Sequence, residues 1–191
     1  MSEKKPLIVG LGGSLRERSY SRAALVAALA LAEAQGAATE LLDLRELALP
    51  IYVPDLPIAG YPPEQQAAIG RLIDSCRRAD ALIWSSPTYH GTVSGVFKNA
   101  LDFLELTCDD EPPYLTGRAV GLIAVSDART FGAMMQSVYE LRAWLAPTQV
   151  AVGGRDFGPD LAVANDRVQR RLGRLASDLI SFARLRGSPG G

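Results

Sequence analysis

Apolar runs of strand length recur along this chain without inside–outside alternation: Leu7-Ile8-Val9, Ala81-Leu82-Ile83-Trp84 and Ala119 to Val125. An alternating strand can leave one face in water, whereas a solid apolar run must be covered on both. Longer stretches with helical patterning separate the runs. That succession implies a parallel sheet with helices packed on each face. Strands are read at about 6–12, 38–43, 80–86, 118–126 and 148–153, and helices at about 20–35, 63–78, 94–105, 131–146 and 165–184. Gly36 stands where the first helix needs its terminating glycine. Five such units predict an α/β three-layer sandwich on a five-stranded parallel sheet. With strand order 2-1-3-4-5, a ligand lies beyond the carboxyl ends of the strands, where the order reverses.

At 191 residues the chain is read as one domain over 1–185, with an unstructured tail at 186–191. A net charge of −1 gives no electrostatic reason to expect nucleic acid or an anionic membrane. The basic residues are overwhelmingly arginine and are spread along the sequence. Two cysteines, Cys76 and Cys108, form no Cys-x-x-Cys pair, so reduced thiols in the cytoplasm are expected. The opening Ser-Glu-Lys-Lys-Pro leads straight into the first strand and does not read as a signal peptide. The apolar stretch Ala23 to Ala34 is alanine-rich and interrupted by Glu33, so it is not read as membrane-spanning. The proline-rich stretch 50–63, with Tyr52 and Tyr61, reads as a loop at a rim or subunit contact. One histidine, His90, serves the whole chain. A histidine cluster for zinc is therefore impossible, no metal site is expected, and any Ser-His-Asp triad would have to use that residue. Chemistry on such an inventory belongs to a bound cofactor.

Residues 10–22, Gly-Leu-Gly-Gly-Ser14-Leu-Arg16-Glu-Arg-Ser19-Tyr-Ser21-Arg, carry the first motif. A glycine-rich turn from strand into helix aims free backbone N–H groups at one point, where the helix dipole also favours negative charge. The hydroxyls of Ser14, Ser19 and Ser21 and the Arg16 guanidinium can converge there. Donors from main chain and side chains together suit a phosphate monoester. The plainer reading is an ordinary turn with a capping serine. A Walker loop is excluded, because no Gly-Lys-Ser/Thr follows. The dinucleotide fingerprint fits poorly, with Arg16 or Glu17 standing where its third glycine belongs.

The second motif follows the third strand: Ser85-Ser86-Pro87-Thr88-Tyr89-His90-Gly91-Thr92-Val93-Ser94-Gly95, then a helix start with Lys98-Asn99. Small and conformationally restricted residues let a flat ligand approach the backbone closely. Tyr89 and His90 can cover a ring face or its outer edge. Read plainly, this is a turn before an amphipathic helix, with His90 in solvent.

Together the two motifs resemble the NAD(P)H-dependent FMN reductase family on the flavodoxin-like fold, over roughly residues 7 to 150. Gly-Ser-Leu-Arg-Glu-Arg-Ser-Tyr-Ser-Arg and Trp84-Ser85-Ser86-Pro87 with His90-Gly91 look much like its ArsH-type arsenic-resistance branch. The resemblance implies non-covalent FMN, with its phosphate on Ser14, Arg16, Ser19 and Ser21 and its ring against Pro87, Thr88, Tyr89, His90 and Gly91. It further implies NADPH or NADH as electron donor, a small-molecule acceptor such as free flavin or a quinone, and a homodimer or homotetramer. Hydride transfer between stacked rings needs positioning rather than a protein acid or base, so no catalytic side chain is expected. The family's third flavin loop usually carries adjacent glycines. Here it reads Val125-Ser126-Asp127-Ala128-Arg129-Thr130-Phe131-Gly132, without that pair. Ser126, Asp127 and Arg129 become the candidates: Asp127 accepting the flavin N3–H, Arg129 facing the charge that reduction places near N1 and O2. The alternative is that both point to solvent or pair with each other.

Three other functions stay open on these residues: an ArsH-like organoarsenical or xenobiotic oxidoreductase, a specialised biosynthetic flavoenzyme, and a flavodoxin-type electron carrier. Arg16 and the near-neutral charge weigh against the carrier. A flavin-free binding module follows if the third loop cannot hold the ring. Cys108, flanked by Asp109-Asp110-Glu111, is disfavoured as a reactive thiol because neighbouring acids oppose the thiolate. Trp84 reads as core, and Tyr139 and Trp144 as packing residues on the fourth helix.

Overall fold

The computed structural model describes residues 5–186. Five parallel strands form one sheet in the order β2-β1-β3-β4-β5. They are β1 (Leu7–Gly12), β2 (Ala38–Asp43), β3 (Ala81–Pro87), β4 (Ala119–Val125) and β5 (Trp144–Val152). Both the order and the three-layer class match the sequence expectation. The chain runs outward from β1 to β2 and then returns to pair β3 on the other side of β1. The order therefore reverses between β1 and β3, and a crevice opens beyond their carboxyl ends.

The period of two along each strand divides the core. Ile8, Ala81, Ile83, Ala119 and Ile123 face one layer, made by α1 (Tyr20–Ala34) and α6 (Asp166–Arg186). Val9, Leu11, Leu82, Trp84, Val120 and Leu122 face the other, with α3 (Pro63–Arg78), α4 (Gly95–Asp102) and α5 (Thr130–Glu140). A single-turn helix, α2 (Leu44–Leu47), follows β2. Two glycines set how close the first layer comes. A Cβ on Gly10 would lie 2.8 Å from Leu29 Cδ1, and one on Gly121 would lie 2.4 Å from Leu175 Cδ1. The alanines of α1 that face the sheet (Ala24, Ala28, Ala32) extend the same close packing. Trp84 is fully buried, edge-on to Phe97 at 5.8 Å, as core should be.

Three boundaries differ from the sequence reading by more than two residues: α4 stops at Asp102 rather than near 105 and runs on as a 3₁₀ turn over Phe103–Thr107, and the other two meet at the α5–β5 junction. The fourth long helix, α5, stops at Glu140 rather than near 146, and β5 begins at Trp144 rather than 148. The stop is a Schellman turn: Ala143 N donates to Val138 O (3.0 Å) and Arg142 N to Tyr139 O (2.9 Å). Arg142 takes the left-handed conformation (φ 59°) usually held by glycine, so no composition signal marks the end. Within β5, Leu145 pairs with Val120 and Gln149 with Leu122, a bulge that accommodates Pro147 on the sheet edge. Tyr139 and Trp144 are consequently not packing residues of one helix. Tyr139 is 77% exposed, one position beyond the buried Val138, and Trp144 opens β5 at 57% exposure.

The stretch 50–63 is tied down by Asn99 of α4 and by Gln66 of α3, whose amide donates to Tyr61 O (2.7 Å). Asn99 accepts from Tyr52 N (2.9 Å) and donates to Pro50 O (2.8 Å), while Tyr61 Oη accepts from Val53 N (2.9 Å). Arg186 closes α6; the rest of the tail, 187–191, lies outside the described residues. No described helix is long and apolar enough to cross a membrane.

Candidate active site

The three sequence motifs meet at the carboxyl ends of β1, β3 and β4. The β1–α1 turn begins where two backbones touch. A Cβ on Gly12 would lie 2.1 Å from Ser85 O, so only glycine allows β1 to end against β3 there. Gly13 N then donates to Ser85 O (3.1 Å), and Ser85 Oγ donates to Ser21 O (2.9 Å), which anchors the first turn of α1. Ser19 caps α1 by accepting from Arg22 N (3.1 Å). Ser14, Ser19 and Ser21 are 5%, 4% and 2% exposed. Their hydroxyls form a chain, Ser14 donating to Ser19 (3.2 Å) and Ser19 lying 3.0 Å from Ser21. Two hydrogen bonds join three hydroxyls, so one O–H has no acceptor within the chain. Among the described residues, the N–H groups of Glu17, Arg18, Tyr20 and Ser21 also donate to nothing. The turn is thus a set of unspent donors at the positive end of a helix.

Two arginines flank it with opposite roles. Arg22 is neutralised by the buried Asp43 (2.5 Å), which also caps α2. Arg16 has no carboxylate within 4 Å among the described residues, and its guanidinium lies 5.9 Å from the centroid of the Tyr89 ring. That contact places the two sequence motifs side by side.

Residues 87–92 form a tight hairpin. Tyr89 N donates to Thr92 O (3.0 Å) and Thr92 N to Tyr89 O (3.1 Å), with His90 (φ 52°) and Gly91 (φ 83°) at its tip. Two successive left-handed residues are what a two-residue turn of this type requires. His90 and Gly91 are exposed at the tip, and Pro87 is buried as the last residue of β3. Ser86 Oγ accepts from Ser94 N (3.0 Å), and Ser94 caps α4, which fixes the base of the hairpin. Thr88 spends its hydroxyl on the neighbouring loop, donating to Asp127 O (2.9 Å) beside Thr130 Oγ1.

The β4–α5 loop is the third component. Ser126 is left-handed (φ 78°) and its N–H reaches Val152 O (2.8 Å). Asp127 and Arg129 pair with each other: Arg129 N donates to Oδ1 (2.8 Å), and its Nε and Nη2 lie 2.7 and 2.6 Å from Oδ2. The Arg129 side-chain hydrogen bond holds Asp127 below the usual carboxylate range, and Asp127 raises Arg129 in return.

Several residues that build this site were missed in the sequence. Ser85, Ser94 and Thr130 fasten the loops without facing the crevice. Ser94 carried a signal, since a serine before a helix start is an N-cap pattern. The arginines read as spread along the sequence are also partly gathered by the fold, because α6 carries Arg167, Arg170, Arg171 and Arg174 together. Cys108 is exposed, and its thiol is pushed up by local desolvation and by Asp109 and Glu105. No group of three or more His, Cys, Asp or Glu that could hold a metal occurs among the described residues.

Known proteins are similar to this chain in sequence and in fold. The NAD(P)H-dependent FMN reductase PA1204 of Pseudomonas aeruginosa is 35% identical over 138 residues, covering 72% of this chain and 68% of its own. An NADPH-dependent FMN reductase ArsH of Shigella flexneri is 32% identical over 119 residues, 62% of this chain but 43% of that protein. Among solved structures, the NAD(P)H:(acceptor) oxidoreductase FerB of Paracoccus denitrificans superposes with a TM-score of 0.73 at 20% identity, over 96% of this chain and 100% of that one. The model of the NADPH-dependent FMN reductase family matches residues 6–157, which include all three loops, and the chain belongs to that family.

Proposed function

We propose that the chain is an FMN-dependent oxidoreductase that takes electrons from NADPH or NADH and passes them to a small-molecule acceptor such as free flavin or a quinone. The observation that carries this is the donor-rich cradle of the β1–α1 turn. Buried hydroxyls with an unspent proton, free N–H groups and an unpaired Arg16 fit a phosphate monoester, and the buried carboxylate beside the turn, Asp43, is already held by Arg22 and Arg45 N. Ser14, Arg16, Ser19 and Ser21 hold that phosphate, and Arg16 turns from the Tyr89 ring toward it. The segment Pro87 to Gly91, with Ser126, Asp127 and Arg129, holds the ring. Bound FMN supplies hydride acceptance from nicotinamide and its onward delivery.

The chain's own residues position and shield. The hairpin, fixed at its base by Ser86 and Ser94, carries Tyr89 as a wall beside the ring. Thr88 locks that hairpin to the third loop, so the two ring-facing segments move as one. With Asp127 and Arg129 already paired, the pair presents a carboxylate edge and a cation together at the pyrimidine side. Arg129 would then balance the negative charge that reduction places on the pyrimidine side, and Asp127 would offer a ring N–H the one site on Oδ1 that Arg129 N leaves free. No proton need be moved by a side chain in the hydride step.

The chain is further proposed to work as a homodimer or homotetramer in the cytoplasm, with Ile51 (77% exposed) and Val53 (46% exposed) on the 50–63 loop as apolar contact candidates. Light scattering coupled to size exclusion tests the assembly. The function is tested by an anaerobic titration of the FMN-loaded protein with NADPH and then NADH, followed at the oxidised flavin band. Rapid bleaching by either nucleotide is expected; FMN that binds and is reduced by neither overturns the proposal.

A further inference from the structure

A furrow leaves the third loop and runs along the edge of the sheet onto α6. Its first depression is bounded by Ser126, Ala128, Arg155, Asp156 and Asn165. A second shares Asp156 and Asn165 and adds Phe131, Arg167 and Arg171. The third shares Arg167 and Arg171 and continues to Arg170, Arg174 and Asp178. The shared residues make the three one continuous channel, starting where the pyrimidine edge of the flavin is proposed to lie.

The channel is cationic. Residues three and four apart share a helix face, so positions 167, 170, 171 and 174 line one side of α6 over about 10 Å. Among the described residues, none of these four arginines, nor Arg155, has a carboxylate within 4 Å. The acids that line the channel are already engaged or sit at its far end, and Asp166, at the start of α6, lines none of the three depressions. Asp156 accepts from Gly153 N (2.7 Å) and Asn165 Nδ2 (2.7 Å), Asp127 holds Arg129, and Asp178 borders only the third depression. Like charges at this spacing oppose helix formation. Such a face is relieved by an extended anion. Arg171 Nη2 donates to Gln149 O on the outer edge of β5, which holds its guanidinium over the channel. The half-buried Phe131 in the middle depression offers a face to a flat base.

We propose that this channel binds the adenosine 2′-phosphate end of NADPH, with Arg167 and Arg171 as its principal anion ligands, and so selects NADPH over NADH. The inference rests on the oxidoreductase reading above. A phosphate dianion between two guanidinium forks is a charge-assisted contact that NADH cannot make.

The first test uses calorimetry on the FMN-loaded protein, with adenosine 2′,5′-bisphosphate and adenosine 5′-monophosphate as probes. The bisphosphate is expected to bind about tenfold or more tightly, and the double variant R167Q/R171Q to lose that advantage. Arg167→Lys and Arg171→Lys together should restore part of it. In turnover, the double variant should lower the ratio of kcat/KM for NADPH to that for NADH by about tenfold, through KM. A bisphosphate affinity and a nucleotide ratio both within about twofold of the parent would overturn the inference. If neither nucleotide reduces the flavin but bisphosphate binding still depends on Arg167 and Arg171, the oxidoreductase reading fails and the anion site stands.

Discussion

Ser19 carries two duties on one oxygen: it accepts from Arg22 N as the cap of α1, and it joins the hydroxyl chain of the cradle. The two duties can be separated by charge. Ser19→Ala removes both, so the unloaded protein should lose about 0.5–2 kcal/mol in urea unfolding and FMN should bind more weakly. Ser19→Asp keeps a capping oxygen while placing a negative charge where the phosphate is proposed to sit. Its unloaded stability should stay near the parent, yet flavin fluorescence quenching should show binding lost. If Ser19→Asp binds FMN normally, the phosphate does not lie on this turn. Arg129 allows a second reading at this scale. Arg129→Ala removes the cation proposed to face N1 and O2, so the midpoint potential of bound flavin should become more negative; an unchanged potential in spectroelectrochemistry excludes that role. The serine motif was legible because its signal is local in sequence. The spending of the Thr88 hydroxyl on Asp127 O was not, since its partner is 39 residues away and enters only when β3 and β4 pair.

At the scale of elements, the strands of the sheet were readable wherever both faces are buried, as in β3 and β4, because a solid apolar run has one economical solution in a covered sheet. The α5–β5 junction was not readable, and Arg142 is the reason. A helix that ends on glycine announces itself, as α1 does at Gly36, whereas Arg142 adopts φ 59° without any signal in composition. That residue's cost can be measured by comparing two variants that lose the same contact. Arg142 sits 5.6 Å from the Tyr114 ring centroid, and both Arg142→Gly and Arg142→Ala remove that interaction. What differs is the left-handed backbone, which disfavours a Cβ by about 1–2 kcal/mol. Glycine's larger unfolded-state entropy offsets about 0.4–1 kcal/mol of it. The difference runs from about 0 to about 1.6 kcal/mol in favour of glycine, so Arg142→Gly should unfold at higher urea than Arg142→Ala by up to that amount. An Arg142→Gly less stable than Arg142→Ala would mean the Schellman geometry is absent in solution. Pro147 lies inside β5, where the sheet edge bulges around it.

The two cysteines report on the whole molecule because the fold treats them so differently. Cys76 is 2% exposed on α3, and burial pushes its thiol up to about 12 despite the nearby Arg118. Cys108 is exposed, and its thiol is raised by local desolvation and by Asp109 and Glu105. At pH 8 a disulfide reagent should therefore modify Cys108 directly, more slowly than a free thiol, and reach Cys76 only through opening of the core. The sign of the pH effect follows from the raised folded value. Stability contributed by keeping Cys76 protonated is complete below its unfolded pKa of about 8.5 and is lost as pH climbs toward about 12. Measurements at pH 8 stay just below that decline. Under conditions where opening and closing are fast, the labelling rate of Cys76 tracks the population of the open form. A ligand that binds only the folded state lowers that population by the factor 1 + [L]/Kd, about a hundredfold at a hundred times Kd, or about 2.7 kcal/mol. FMN at that excess should slow Cys76 labelling by about that factor and leave Cys108 unchanged, while Ser19→Asp should abolish the protection. Protection that survives Ser19→Asp would move the flavin away from the β1–α1 turn; no protection in the parent protein would remove FMN from the account of this fold.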